Sequence, residues 1–112
     1  MVHISEDRFR SVVFEALRRD YGGQWLGLTQ AVAWVAIDRG MYPAPQDTRI
    51  VQINPADEPR LRSTFWQLVA EGVMTLGTDA GNAGWPWMTL TARGRAVVSR
   101  DEHASPPDSD AG

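Results

Sequence analysis

The sequence predicts one α+β domain in which a three-helix core is followed by a β-hairpin and a short C-terminal helix. Apolar residues recur at helical spacing in three segments before residue 72, and two short apolar runs around a polar loop follow. A chain of 112 residues can enclose one modest core. We therefore expect residues 1–100 to form the domain. Residues 101–112 are acidic and contain two prolines, which predicts a disordered tail.

The first two helices are predicted from capping residues and apolar periodicity. Ser5 is a suitable N-cap for a helix over residues 6–20, which Gly22 and Gly23 would end. Its predicted buried face comprises Phe9, Val12, Val13, Ala16 and Leu17. Residues 24–28 are expected to form a connector or a strand stub. Thr29 would cap a second helix over 30–39.

The third helix follows an irregular insertion over residues 41–54. Two prolines in Tyr42-Pro43-Ala44-Pro45 exclude a helix there, and residues 49–53 alternate in a way that favours a short strand. Asn54 followed by Pro55 predicts a helix start. That helix should run to about Glu71, with a buried stripe of Leu61, Phe65, Leu68 and Val69. We expect Phe65 and Leu68 to share a core with Phe9, Val13 and Leu90.

The hairpin is predicted from two apolar runs, over residues 73–78 and 85–90, with a flexible tip over 79–84. Thr91 would then cap a last short helix that ends near Ser99.

Two motifs in this region resemble the winged helix-turn-helix of bacterial regulators such as the PadR-like and MarR-like groups. They are Glu71-Gly72-Val73-Met74 and Leu90-Thr91-Ala92-Arg93-Gly94-Arg95. The resemblance covers residues 5–98 and implies a DNA-binding transcriptional regulator whose third helix is the recognition helix. The insertion over residues 41–54 departs from the pattern of those proteins.

The composition argues against an enzyme and against a secreted or membrane protein. The chain has no cysteine, and His3 and His103 both lie near the predicted disordered ends. No motif predicts catalytic residues, a metal site or a cofactor. No apolar run approaches the length of a membrane span, and no signal peptide is evident, so a cytoplasmic protein is expected.

The charge distribution neither favours nor excludes nucleic acid. The net charge is −3, but Asp101, Glu102, Asp108 and Asp110 follow or adjoin the last arginine, so residues 1–100 carry +1. Every cation is arginine, a side chain suited to contacts with phosphate or guanine.

Candidate DNA contacts follow from projecting the third helix. Arg60, Ser63 and Gln67 form an outward row, and Thr64 lies on a flank. Arg62 starts nearer the buried stripe and would have to extend outward. Arg93 and Arg95 are candidates for phosphate contacts. The alternative is an ordinary solvated face, because Asp57, Glu58 and Asp79 oppose an approaching phosphate backbone.

Trp85-Pro86-Trp87 is the most unusual local feature. If this segment is a strand, Trp85 and Trp87 share one face, and Leu90 lies on the other with the core. The pair would then be an interface for a homodimer or a protein partner, or be covered by the chain's own first helix or insertion. The competing function is therefore a protein-interaction winged-helix module without DNA binding, such as an adaptor or a phage or defence-system component.

Overall fold

The computed structural model describes residues 4–45 and 51–104, with the backbone alone for 101–104. Four helices and one two-stranded antiparallel hairpin make up this part of the chain, which confirms the α+β class. The order is α1 (Glu6–Arg18), α2 (Trp25–Asp38), α3 (Glu58–Ala70), β1 (Met74–Leu76), β2 (Met88–Leu90) and α4 (Ala92–Ala104). No helix in the described residues is both long and apolar enough to cross a membrane.

Helix α1 begins as predicted, because the Ser5 side chain accepts a hydrogen bond from the backbone N–H of Arg8 at 3.3 Å. The predicted start of α2 is wrong by five residues. Gln24 occupies the N-cap position, and Thr29 lies inside the helix, where its hydroxyl donates to the carbonyl of Leu26. Gly27 faces the backbone carbonyl of Tyr21 so closely that a Cβ atom would overlap it. A residue without a side chain is therefore required here, despite the low helix propensity of glycine.

One hydrophobic core joins all the elements. Helix α1 packs against α2 and α4, while α3 packs on β1. Phe9, Val13, Phe65 and Leu68 are each at most 1 % exposed, and Leu90 is half-buried against them, so the predicted core is confirmed.

Helix α3 begins at Glu58, not at Pro55. Residues 55–57 form a turn in which the carbonyl of Asn54 accepts from the N–H groups of Asp57 and Glu58. Pro59 is compatible with the first helical turn because N–H groups there need no helical partner. Residues 46–50 lie outside the described part, and residues 51–53 are not in a strand, so the predicted strand over 49–53 is not observed where it can be judged.

The hairpin is shorter than predicted, with Met74 opposite Leu90 and Leu76 opposite Met88. Gln24 forms an isolated antiparallel bridge with Trp87, so a strand stub before α2 exists but is limited to this residue.

The Leu-Thr-x-x-Gly motif has a clear structural basis. The Thr91 hydroxyl accepts a hydrogen bond from the N–H of Gly94 at 2.8 Å, which confirms the predicted cap. Gly94 lies against the carbonyl of Val73, where a Cβ atom would overlap. Helix α4 continues to Ala104, five residues past the predicted end at Ser99, and so includes the first residues assigned to the tail. Residues 105–112 lie outside the described part.

Candidate interaction surface

The outer face of α3 carries part of the predicted DNA-contact set. Ser63 and Gln67 are exposed there, as the helical projection predicts, and Arg62 is exposed beside them. Arg62 does extend outward, and its side chain is 49 % exposed. Of the DNA contacts predicted on α3, these three side chains are the ones that remain available to a ligand.

The predicted outward orientation of Arg60 is wrong. Its guanidinium turns inward, donating to Asp57 at 3.1 Å, to Glu6 at 3.0 Å and to the backbone carbonyl of Ile4. It also lies over the ring of Phe9, 4.6 Å from the centroid. The chain at the start of α1 runs beside the first turn of α3 and covers the side of the helix on which Arg60 lies. Helical projection predicts that this side faces solvent, because it does not take the neighbouring chain into account.

Thr64 is also withdrawn from the surface. It is 7 % exposed and belongs to the buried side of α3, so the prediction that it contacts DNA from a flank is not supported by its position. Arg93 and Arg95 are exposed at the start of α4, as expected. Each donates one hydrogen bond of 3.1 Å to a backbone carbonyl, Arg93 to Glu71 and Arg95 to Leu90.

The predicted placement of Trp85 is wrong as well. Strand β2 begins at Met88, and the N–H of Trp87 donates to the carbonyl of Gly84 in a turn, so strand alternation does not extend to Trp85. Trp85 consequently faces α2 and α3. The part of its ring that is covered packs on these helices and not on α1 or the insertion.

Trp85 is part of an aromatic cluster with Trp25, Phe65 and Trp66. Trp66 stacks on Trp85 with centroids 5.8 Å apart and planes at 22°, and Trp25 lies 5.2 Å from Trp85. Phe65, from the core, meets all three rings at 5.0 to 5.8 Å. Phe65 is 1 % exposed, whereas Trp66 and Trp85 remain 44 % and 41 % exposed. The cluster therefore extends the core to the surface where α3 meets the hairpin.

Arg62 borders this cluster. Its guanidinium carbon lies 5.2 Å from the ring centroid of Trp25 and 6.0 Å from that of Trp85, while one nitrogen donates to Glu58 at 2.6 Å. Cation–π contacts and a hydrogen-bonded carboxylate together favour this orientation of the side chain. The charge of Arg62 is thus neutralised locally by Glu58.

A shallow groove runs along the exposed side of α3 beside the cluster. Its lining, which we call the α3 groove, consists of Glu58, Pro59, Arg62, Ser63, Trp66, Gln67 and Ala70, and more of its surface is apolar than polar. These residues fall into two adjacent rows at i, i+4 spacing. One row contains Glu58, Arg62, Trp66 and Ala70, and the other contains Pro59, Ser63 and Gln67.

Sequence reasoning did not find the cluster, because its members come from three separate elements. The unusual number of tryptophans, five in 112 residues, was the available signal. Among the described residues no group of three or more histidine, cysteine, aspartate or glutamate side chains is placed to hold a metal ion. His3 and the side chain of His103 fall outside the description.

Comparison with known proteins finds no matching family model, no similar curated protein and no similar solved structure.

Proposed function

We propose that this chain is a winged-helix module that binds a protein partner through the α3 groove and the adjoining aromatic cluster. The order of helices and hairpin supports the winged-helix assignment, as does the Gln24–Trp87 bridge that adds a third short segment to the hairpin. Since winged helices bind proteins as well as DNA, it is the chemistry of the surface that favours one kind of partner over the other.

One observation carries the proposal: Trp66 and Trp85 stack on each other and remain more than two-fifths exposed. Monomeric proteins rarely leave large aromatic rings together in water, and such rings dominate binding energy when a partner covers them. Arg60, the arginine of the outward row that was expected to contact DNA, is instead held by Asp57, Glu6 and Ile4. The remaining surface is aromatic and close to neutral.

Site-directed photocrosslinking tests the proposal in cells that express the chain naturally. A photoreactive amino acid at Gln67 should form a discrete, protease-sensitive adduct, and Trp66→Ala in the same chain should abolish it. The matched control places the same group at Ala96, an exposed position on α4, where no such adduct is expected. Adducts at Gln67 that are removed by nuclease and not by protease would contradict protein binding.

Duplex DNA is the second candidate, favoured by the exposure of Ser63 and Gln67 on α3 and of Arg93 and Arg95 on α4. Serine and glutamine can bond base edges, and arginine can bond phosphates. Under this alternative, Arg93→Ala should reduce the slope of the logarithm of the binding constant against the logarithm of the salt concentration by about one, because one phosphate contact is lost. Titration of random-sequence duplexes at low salt that detects no binding would eliminate it.

A further inference from the structure

The two residue rows that line the α3 groove identify the kind of partner that fits it. Side chains on a helix form ridges along their i, i+4 rows, and helices pack by placing a ridge of one into the groove between two ridges of the other. The α3 groove lies between two such adjacent rows, one containing Arg62 and Trp66 and the other Ser63 and Gln67. We propose that its occupant is an amphipathic α-helix of a partner protein, an inference that rests on the proposed function.

The groove is already formed in the unbound chain. Trp66 is supported from beneath by Phe65 and laterally by Trp85, while Arg62 is held by Glu58 and the ring of Trp25. Arg62 and Trp66, the large side chains of the first row, therefore lose little conformational freedom when a partner binds. In the second row, the side chain of Ser63 is small enough to leave room for a side chain of the partner helix.

Charge and length specify the partner further. Glu58 and Arg62 form an ion pair of 2.6 Å, so the groove as a whole carries no net charge. A neutral and largely apolar groove favours a ridge of uncharged aliphatic side chains over an acidic peptide or a phosphate backbone. The groove extends from Glu58 to Ala70, about 18 Å along the helix axis, which matches roughly three turns of the partner. Anchors at i, i+4 and i+7 or i+8 are expected on that helix.

Two display libraries selected against the full chain test this inference. In the first, one face of a helical-hairpin scaffold is randomised at i, i+4, i+7 and i+8, and in the second the same number of positions is randomised in linear peptides. We expect the helical library to yield binders. Ser63→Arg should raise their dissociation constants about tenfold or more, because the long arginine side chain occupies the space beside Pro59 and Gln67. Ala96→Arg, which adds the same charge to an exposed position on α4, is the matched control and should leave these constants unchanged.

The other outcomes separate failure of this inference from failure of the proposed function. If only the linear library yields binders, and Ser63→Arg abolishes their binding, the inference that the partner is a helix is wrong. Protein binding at the α3 groove would still hold. Helical binders whose affinity does not change with Ser63→Arg would show that the helix binds somewhere other than the α3 groove. Sedimentation of the wild-type chain as a dimer that Ser63→Arg dissociates would assign the groove to a second copy and overturn a separate partner. Failure of the proposed function itself would appear as nuclease-sensitive adducts at Gln67.

Discussion

Arg60 shows how one side chain can exchange a predicted binding role for a structural one. It joins the first turn of α3 to the start of α1 through Asp57, Glu6 and the carbonyl of Ile4. Asp57 also accepts a hydrogen bond from the hydroxyl of Tyr42 at 2.7 Å. This bond links the insertion to Arg60 and its partners, which together form the Arg60 cluster. Burial and this hydrogen bond raise the pKa of Tyr42 well above its ordinary value, so the hydroxyl remains protonated and remains a donor over the pH range in which most proteins are folded.

We predict that Arg60→Ala lowers the free energy of unfolding by about 3 kcal/mol, because it leaves Asp57 nearly buried without its cation. Urea unfolding followed by far-ultraviolet circular dichroism measures the loss. Arg95→Ala removes an exposed arginine with one backbone hydrogen bond and should change stability by less than about 0.5 kcal/mol. Equal effects of the two substitutions would show that the Arg60 cluster contributes no special stability.

At the scale of elements, the junction between β2 and α4 depends on a close backbone approach. Thr91 accepts from the N–H of Gly94 and donates to the carbonyl of Gly72 at 2.5 Å, so the cap also ties α4 to the end of α3. The missing side chain of Gly94 lets the first turn of α4 lie directly on the carbonyl of Val73. The residues that carry the resemblance to bacterial regulators therefore define how the helix joins the hairpin, and they do so whatever the domain binds.

Gly94→Ala should destabilise the chain by about 2 kcal/mol, because the added methyl group forces α4 away from β1. Thermal unfolding of the variant provides the measurement. Gly84→Ala is the matched control, since a Cβ atom at that position meets nothing within 4 Å and the backbone does not require glycine there. A Gly94→Ala variant as stable as the control would contradict the proposed junction.

At the scale of the whole molecule, a charge network holds α1 against the end of α2. Arg39, at the C-terminal end of α2, donates to Glu15 at 2.5 and 2.9 Å, and Arg19 joins Glu15 to Asp38. Burial by itself would raise the pKa of Glu15, but the hydrogen bonds and charges of Arg39 and Arg19 outweigh it and lower that pKa below its ordinary value of 4.5.

This lowered pKa predicts the pH dependence of stability. The contribution of Glu15 to stability is complete above the ordinary pKa of 4.5 that it has in the unfolded chain, and it is lost as the pH falls through the lower folded pKa. Denaturant unfolding between pH 5 and pH 3 should therefore show a smaller decline in stability for Glu15→Gln than for the wild-type chain. Asp7→Asn, which removes an exposed carboxylate on the first turn of α1, serves as the control. Parallel declines for wild type and Glu15→Gln would refute the linkage.

Local sequence patterns determined much of the fold. The Ser5 cap, the Thr91 cap and the apolar spacing around Phe65 predicted α1, the start of α4 and the buried side of α3, because each of these features depends on neighbours within one or two turns. The order of helix and hairpin elements followed from the same local signals. On the surface, helical projection alone predicted the exposure of Ser63 and Gln67, while Arg62 needed its long side chain to extend outward from beside the buried stripe.

Tertiary structure decided the composition of the surface. Whether Arg60 faces solvent depends on where residues 4–9 run, and the aromatic cluster depends on the approach of Trp25, Trp66 and Trp85 from three different elements. Helix α2 begins at Trp25 because Gln24 pairs with Trp87, a residue more than sixty positions later in the chain. No local pattern specifies such contacts, since they arise from the free energy of packing the whole chain at once.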